Sequence, residues 1–168
     1  NPLAPYTPDL SLISPGNDCS IDAGMADMLE ELPGVKRAYG RAFAYDLAAE
    51  GEGGSLRINL ISYEAYQFAW AQDYLLEGSL ERLTQEEEAA SGGVRYVLAM
   101  YDPDSALHVG DRMWIEGKGG RQEAEIAGLL SKSPFQKTAG TEDLICSEAF
   151  FTSVTGEKGQ TVVDIQLT

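Results

Sequence analysis

Residues 51–63 read Gly-Glu-Gly-Gly-Ser-Leu-Arg-Ile-Asn-Leu-Ile-Ser-Tyr, and this stretch restricts the fold more than any other. Leu56, Ile58 and Leu60 alternate with polar neighbours, the period of a strand that buries one face. The glycines ahead of them form a flexible turn. Just upstream, Val35, Tyr39, Phe43 and Tyr45 fall at mostly even spacings, so Val35 to Leu47 reads as a second strand, bent at Gly40. The two strands pair across the glycines as a hairpin. A sheet of this kind has to cover its apolar face with something, and the flanking sequence supplies candidates.

On the N-terminal side, Pro2, Pro5 and Pro8 make residues 1–8 an extended lead-in. Asp9 to Ser14 alternates as a short strand, which Pro15, Gly16 and Asn17 break. Ser20 caps a helix running to about Leu32, with Ile21, Met25, Met28, Leu29 and Leu32 on one face as core. Pro33-Gly34 stops it. After the hairpin, Glu64 to Leu76 reads as a helix, with Ala65, Phe68, Ala69, Gln72 and Leu76 along one side. Tyr63, Tyr66, Phe68, Trp70 and Tyr74 crowd it, and they fill a small core against the sheet in preference to forming a partner surface.

From Gly92 the pattern changes. Val94 to Met100, Arg112 to Glu116 and Gln122 to Ser131 read as strands, the last two joined by a turn at Gly117, Gly119 and Gly120. Glu86, Glu87 and Glu88 before them make a solvated face. Leu144 to Cys146 is a short strand, Glu148 to Thr155 a helix closed by Gly156, and Thr161 to Gln166 a final strand. The order is β-α-β-β-α, a run of β, then β-α-β. The fold class is therefore α+β, a split α/β subdomain over 9–78 and 141–168 with a small all-β subdomain inserted at 79–140. The links near Gly78 and Gly140 allow the chain to turn and the lobes to move.

The charge balance bears on partners. Twelve basic residues stand against 27 acidic ones, a net charge of -15. Nucleic acid is excluded as a partner, since phosphate binding needs clustered Lys and Arg, and adsorption to anionic lipid is equally disfavoured. No run of 18 apolar residues exists to span a bilayer. Asn1 to Pro8 has neither a basic nor an apolar signal region, and the chain reads as a piece of a larger protein or a processed product.

Chemistry is sparse. His108 is the single histidine and reads as a loop or partly buried residue, not as a triad or metal member. Cys19 and Cys146 lack Cys-x-x-Cys spacing; they are two thiols or one disulfide. No Gly-x-Ser-x-Gly elbow occurs. Gly117-Lys118-Gly119-Gly120 lacks the rest of a phosphate loop and reads as a hairpin turn. Asp102 and Asp104 begin like a calcium loop, but Ala106 and Leu107 follow where a ligand and a glycine belong, so a turn around Pro103 is expected. No catalytic, cofactor-binding or metal residue is assigned, and the chain is expected not to be an enzyme.

Four segments, in order, resemble the external domain of ABC transporter permeases of the MacB/FtsX type. These are Leu29-Glu30-Glu31-Leu32-Pro33-Gly34-Val35; Tyr74-Leu75-Leu76-Glu77-Gly78; Val109-Gly110-Asp111 with Met113-Trp114-Ile115 and then Ala124 to Leu130; and Leu144-Ile145-Cys146-Ser147-Glu148-Ala149-Phe150-Phe151. The resemblance spans about 23 to 167 and implies a porter-like α/β part with residues near 79–140 as the inserted part. It implies a non-catalytic domain on the extracytoplasmic face of the plasma membrane, without cofactors. There it would transmit conformational change or contact cargo during export of a peptide, lipid or lipoprotein. The implied partners are the parent permease's own transmembrane helices, a cognate ATPase subunit reached through them, and a second permease copy. A membrane helix just before Asn1, more after Thr168 and a neighbouring ATPase gene are what this reading expects. The family's Gram-negative members carry larger external domains, so a simpler permease at a single membrane fits better than a tripartite pump. The competing reading is a secreted ligand-binding or adhesion module; a hydrolase with a distributed carboxylate site ranks last.

Overall fold

The structure, a computed structural model, describes residues 7–84, 94–105, 107–131 and 140–168. It is a sheet-rich α+β fold built from two sheets. In the smaller, β1 (Leu10–Ile13) and β2 (Val35–Arg41) flank β10 (Val162–Leu167), each antiparallel to it. Helix α1 (Met25–Glu30) joins β1 to β2 and packs on β2. Its Met25 and Leu29 meet Ala38, Val163 and Ile165 in a small core. At the sheet's centre Asp164 accepts from Ser11 Oγ (2.8 Å) and lies 3.0 Å from Arg41 Nε, so one buried carboxylate ties all three strands.

The larger sheet closes on itself. Its strands are β3 (Phe43–Gly51), β4 (Gly54–Tyr63), β6 (Arg95–Met100), β7 (Arg112–Gly117), β8 (Gly120–Leu130) and β9 (Glu142–Ser147), paired in the order β8-β6-β9-β4-β3-β7. β7 then pairs back onto β8, giving a six-stranded barrel, and β5 (Leu75–Gly78) adds to the far end of β8. Closure removes open strand edges. Alternation sorts the side chains: Ile58, Leu60, Val97, Ile126, Leu144 and Cys146 point inward. Ile61, Tyr63, Leu98, Leu130 and Ile145 point outward to Phe68 and Trp70 of α2 (Ala65–Ala71) and Leu83 of α3 (Glu81–Thr84). Helix α4 (Glu148–Thr155) plugs one end of the barrel with Phe150, Phe151 and Val154. β4, β6 and β9 are thus buried on both faces.

Several expectations need correction. The strand pairings do not separate 79–140 as a sheet of its own: β6 bonds to β9 and β7 to β3, so the boundaries at 78 and 141 do not divide the sheets. One edge of β6 and one edge of β7 pair with strands outside that block. Gly78 is packed, not a free link; a Cβ there would lie 2.0 Å from the Ala127 carbonyl oxygen. Helix α1 begins at Met25, not near Ser20, because an Asp22 turn precedes it and Ile21 bridges to Gln160. So short a helix buries only its Met25 and Leu29 side, and Met28 and Leu32 are 54% and 51% exposed rather than core. The Val35 to Leu47 strand breaks at Ala42, two residues after Gly40, where the chain passes from one sheet to the other. Helix α2 ends at Ala71, since Leu75 to Gly78 is drawn into pairing with β8. The lead-in's first six residues and Glu86–Glu88 lie outside the described residues.

Candidate functional site

The two sheets meet at a cleft of about 860 Å³. One wall is α1 and the turn before it, contributing Ala23, Ala26 and Asp27; the other is the corner from β4 into α2 and the start of α4. Residues 157–160, which lead from α4 into β10, run along its side.

Glu64 sits at the β4–α2 corner. Its Oε1 accepts the N–H of Gly40 (3.0 Å), bonding the barrel to β2, while its own N–H donates to Gln67 Oε1 (2.8 Å). Burial lifts its carboxyl to about 7; Glu148, Asp27 and Glu30 add to the rise by repulsion, and the Gly40 N–H opposes it. Glu148 follows Ser147, whose Oγ accepts the Phe150 N–H (3.1 Å) and caps α4. Burial raises this second carboxyl too, against a hydrogen bond from the Gln160 side chain, with Asp27 again adding repulsion. Three elements therefore aim carboxylates at one space. Gly40 makes the close packing possible: a Cβ there would lie 2.6 Å from Gln160 Cδ.

Of the residues weighed from sequence, Tyr63 and Phe68 of the aromatic cluster line this cleft, while His108, Cys19, Cys146, Asp102, Asp104 and the Gly117–Gly120 turn do not. His108 is exposed in the turn before β7, where its N–H donates to Asp111 Oδ2 (2.8 Å). Asp102 Oδ1 accepts the Asp104 N–H (2.9 Å), the turn expected around Pro103. Gly117 to Gly120 is the β7–β8 hairpin. Both cysteines are free: Cys146 is inside the barrel, and Cys19 packs against that core near Thr161 Oγ1 (3.6 Å). Among the described residues no group of three or more His, Cys, Asp or Glu is placed to hold a metal. Asp27, Glu64 and Glu148 were not singled out, because among 27 acidic residues nothing local marks the three that converge.

The fold is that of the extracytoplasmic domains of ABC transporter permeases. One such structure is the extracellular domain of the noncanonic ABC-type transporter YknZ from Gram-positive bacteria. It superposes with a TM-score of 0.61 at 14% identity over 98% of this chain and 76% of that one. The periplasmic region of MacB from Actinobacillus actinomycetemcomitans gives 0.62 at 12% identity, over 89% of this chain and 65% of that one. A domain of a protein assigned as a permease from Porphyromonas gingivalis gives 0.54 at 15% identity, over 89% and 70%. No family model and no curated protein matches the sequence. The likeness is one of fold, and it agrees with the resemblance carried by the four sequence segments.

Proposed function

We propose that this chain is a non-catalytic extracytoplasmic domain of an ABC transporter permease, transmitting conformational change or contacting cargo during export of a peptide, lipid or lipoprotein. The observation that carries the reading is the fold match over 98% of the chain to the external domain of YknZ. The course of the chain supports it. Leu10 pairs with Ile165 and the Asp9 N–H donates to the Ile165 carbonyl (2.9 Å), so β1 enters beside the point where β10 leaves. A domain inserted between two membrane helices needs that return path. The β1-α1-β2 unit, split by β10, corresponds to the porter-like part; the barrel corresponds to the remainder. The two are joined through Ala42 and through residues 156–161, and the cleft lies at this junction. A module that relays motion has such a two-body layout. No helix among the described residues is long and apolar enough to cross a membrane, so anchoring falls to the parent protein. The partners are then the parent's transmembrane helices, an ATPase subunit reached through them, and a second permease copy.

Fractionation of cells that express the tagged parent protein tests this. The expected result is recovery from the plasma membrane together with an ATP-binding subunit. Recovery from the culture medium without one would instead support the secreted binding module.

A further inference from the structure

Helix α1 covers only half of the three-stranded sheet. Glu30 at its end reaches over the outer edge of β2, where its Oε1 accepts the Ala38 N–H (2.9 Å). Residues two apart on a helix lie on nearly opposite sides. Met28 and, in the turn that continues α1, Leu32 therefore point the other way, toward β10 and β1. Residues directly opposite each other on paired strands share a face. Leu12 pairs with Val163 and Leu10 with Ile165, and both β10 residues belong to the core under α1, so Leu10 and Leu12 lie on the face that α1 occupies. Leu167 follows two residues along β10 on that face. Yet Leu10, Leu12 and Leu167 are 56%, 41% and 43% exposed, beside the half-exposed Met28 and Leu32. The result is an apolar groove with α1 as one wall, β1 as the other and β10 as its floor. Five side chains exposed to this degree amount to roughly 400 Å², a large patch for a single monomer.

We infer that this groove is the contact face for a second copy of the chain, each copy's α1 packing on the half-sheet that its partner's α1 leaves bare. The occupant follows from symmetry. A two-fold axis parallel to the strands, standing in front of the groove, makes an isologous contact. Met28 and Leu32 of each helix then meet Leu10 and Leu12 of the other copy, so what one copy lacks is what the other presents. The strands of both copies run the same way. The chain ends, which leave together where Leu167 donates to Asp9 Oδ2 (2.8 Å), therefore point to one side, as two copies in one membrane require. Joining the two open β1 edges in antiparallel fashion would instead turn one copy's ends away from that membrane. The opposite edge of the sheet is already taken, since Glu30 and Glu64 accept the outward N–H groups of Ala38 and Gly40. The patch is about half of the ~800 Å² that each partner of a stable complex buries. Separate domains therefore associate weakly, and tethering by the parent's membrane helices raises their effective concentration. This inference deepens the second-copy part of the proposed function and rests on that reading only for the shared membrane.

The test uses the 168-residue chain itself, in ~0.3 M salt to screen the repulsion between two copies of net charge -15. Sedimentation equilibrium should show a monomer–dimer equilibrium with a Kd of about 0.1–1 mM. Leu12→Asp should weaken it about tenfold or more. Ile13→Asp, on the same edge strand but the opposite face, should leave it within about twofold. Both residues are exposed, so both variants are expected to fold, and their melting curves check this. In a Cys19→Ser background, tagged Leu12→Cys chains mixed with untagged Met28→Cys chains should form the mixed disulfide dimer on oxidation. Leu12→Cys mixed with Glu52→Cys, in the β3–β4 turn, should not. A monomer up to ~1 mM, an effect of Leu12→Asp no larger than that of Ile13→Asp, or no mixed dimer would each overturn the inference. None of these would touch the membrane location of the parent protein, and a failed fractionation would leave the measured self-association standing.

Discussion

Glu64 carries the strongest pH signature of any group that links the two sheets. Its folded carboxyl is raised from 4.5 to about 7, so between those values the folded state holds a proton that the unfolded state releases. Stability from this group is therefore full below about 4.5 and declines as pH rises through about 7. Glu148 acts in the same direction, while Asp27 and Glu30 from α1 repel both or one of them across the cleft. Replacing Glu64 with Gln keeps an acceptor for the Gly40 N–H and abolishes the ionised form. The melting temperature of Glu64→Gln is expected to rise at pH 8 and to change little at pH 4.5, where wild type is already protonated there. Solvent reaches the part-exposed side chain, so the gain is smaller than a sealed site would give. A variant less stable than wild type at pH 8 would mean that the carboxylate's bond to Gly40 outweighs its burial.

At the scale of elements, the β7–β8 hairpin and α4 depend on each other. The Gly119 N–H donates to the Val154 carbonyl (2.8 Å), and a Cβ on Gly117 would lie 2.2 Å from that same oxygen. Backbone meets backbone here, so neither side can step aside. Gly117→Ala is expected to cost about 3 kcal/mol, a fall of roughly 6–12 °C in melting temperature for a chain of this size. Gly53→Ala, where nothing lies within 4 Å, should stay within about 0.5 kcal/mol. That hairpin was legible in the sequence, as was the β3–β4 hairpin, because alternating side chains and glycine turns are local signals. The helix closed by Gly156 was legible for the same reason. Pairings between β4 and β9 or between β6 and β8 were not, since parallel strands far apart in sequence share no local mark. The glycines misled at two positions. Gly78, expected to be a free link, is packed on β8. Gly40 was read as a bend, but its use is to let Gln160 approach, and the strand turns at Ala42. The cleft was illegible throughout: Asp27, Glu64, Glu148 and Gln160 come together only when the two sheets are docked.

The whole molecule is a barrel joined to a small three-stranded sheet, and the segments that resemble permease domains lie on both parts. Leu32 to Val35 closes α1 into β2, Val109 to Asp111 enters β7, and Leu144 to Phe151 runs from β9 into α4. A fold shared at 12–15% identity fixes the architecture and leaves the function to be argued from sites and surfaces. The proposed role as an external permease domain requires the domain to stand outside the plasma membrane. The most direct test places one reporter thiol on it. In the parent protein with Cys19→Ser, Glu52→Cys puts an exposed thiol in the β3–β4 turn, while Cys146 stays buried in the barrel. A membrane-impermeant maleimide added to intact protoplasts or spheroplasts should label this position before the plasma membrane is permeabilised. Labelling only after permeabilisation would place the domain in the cytoplasm and contradict the account.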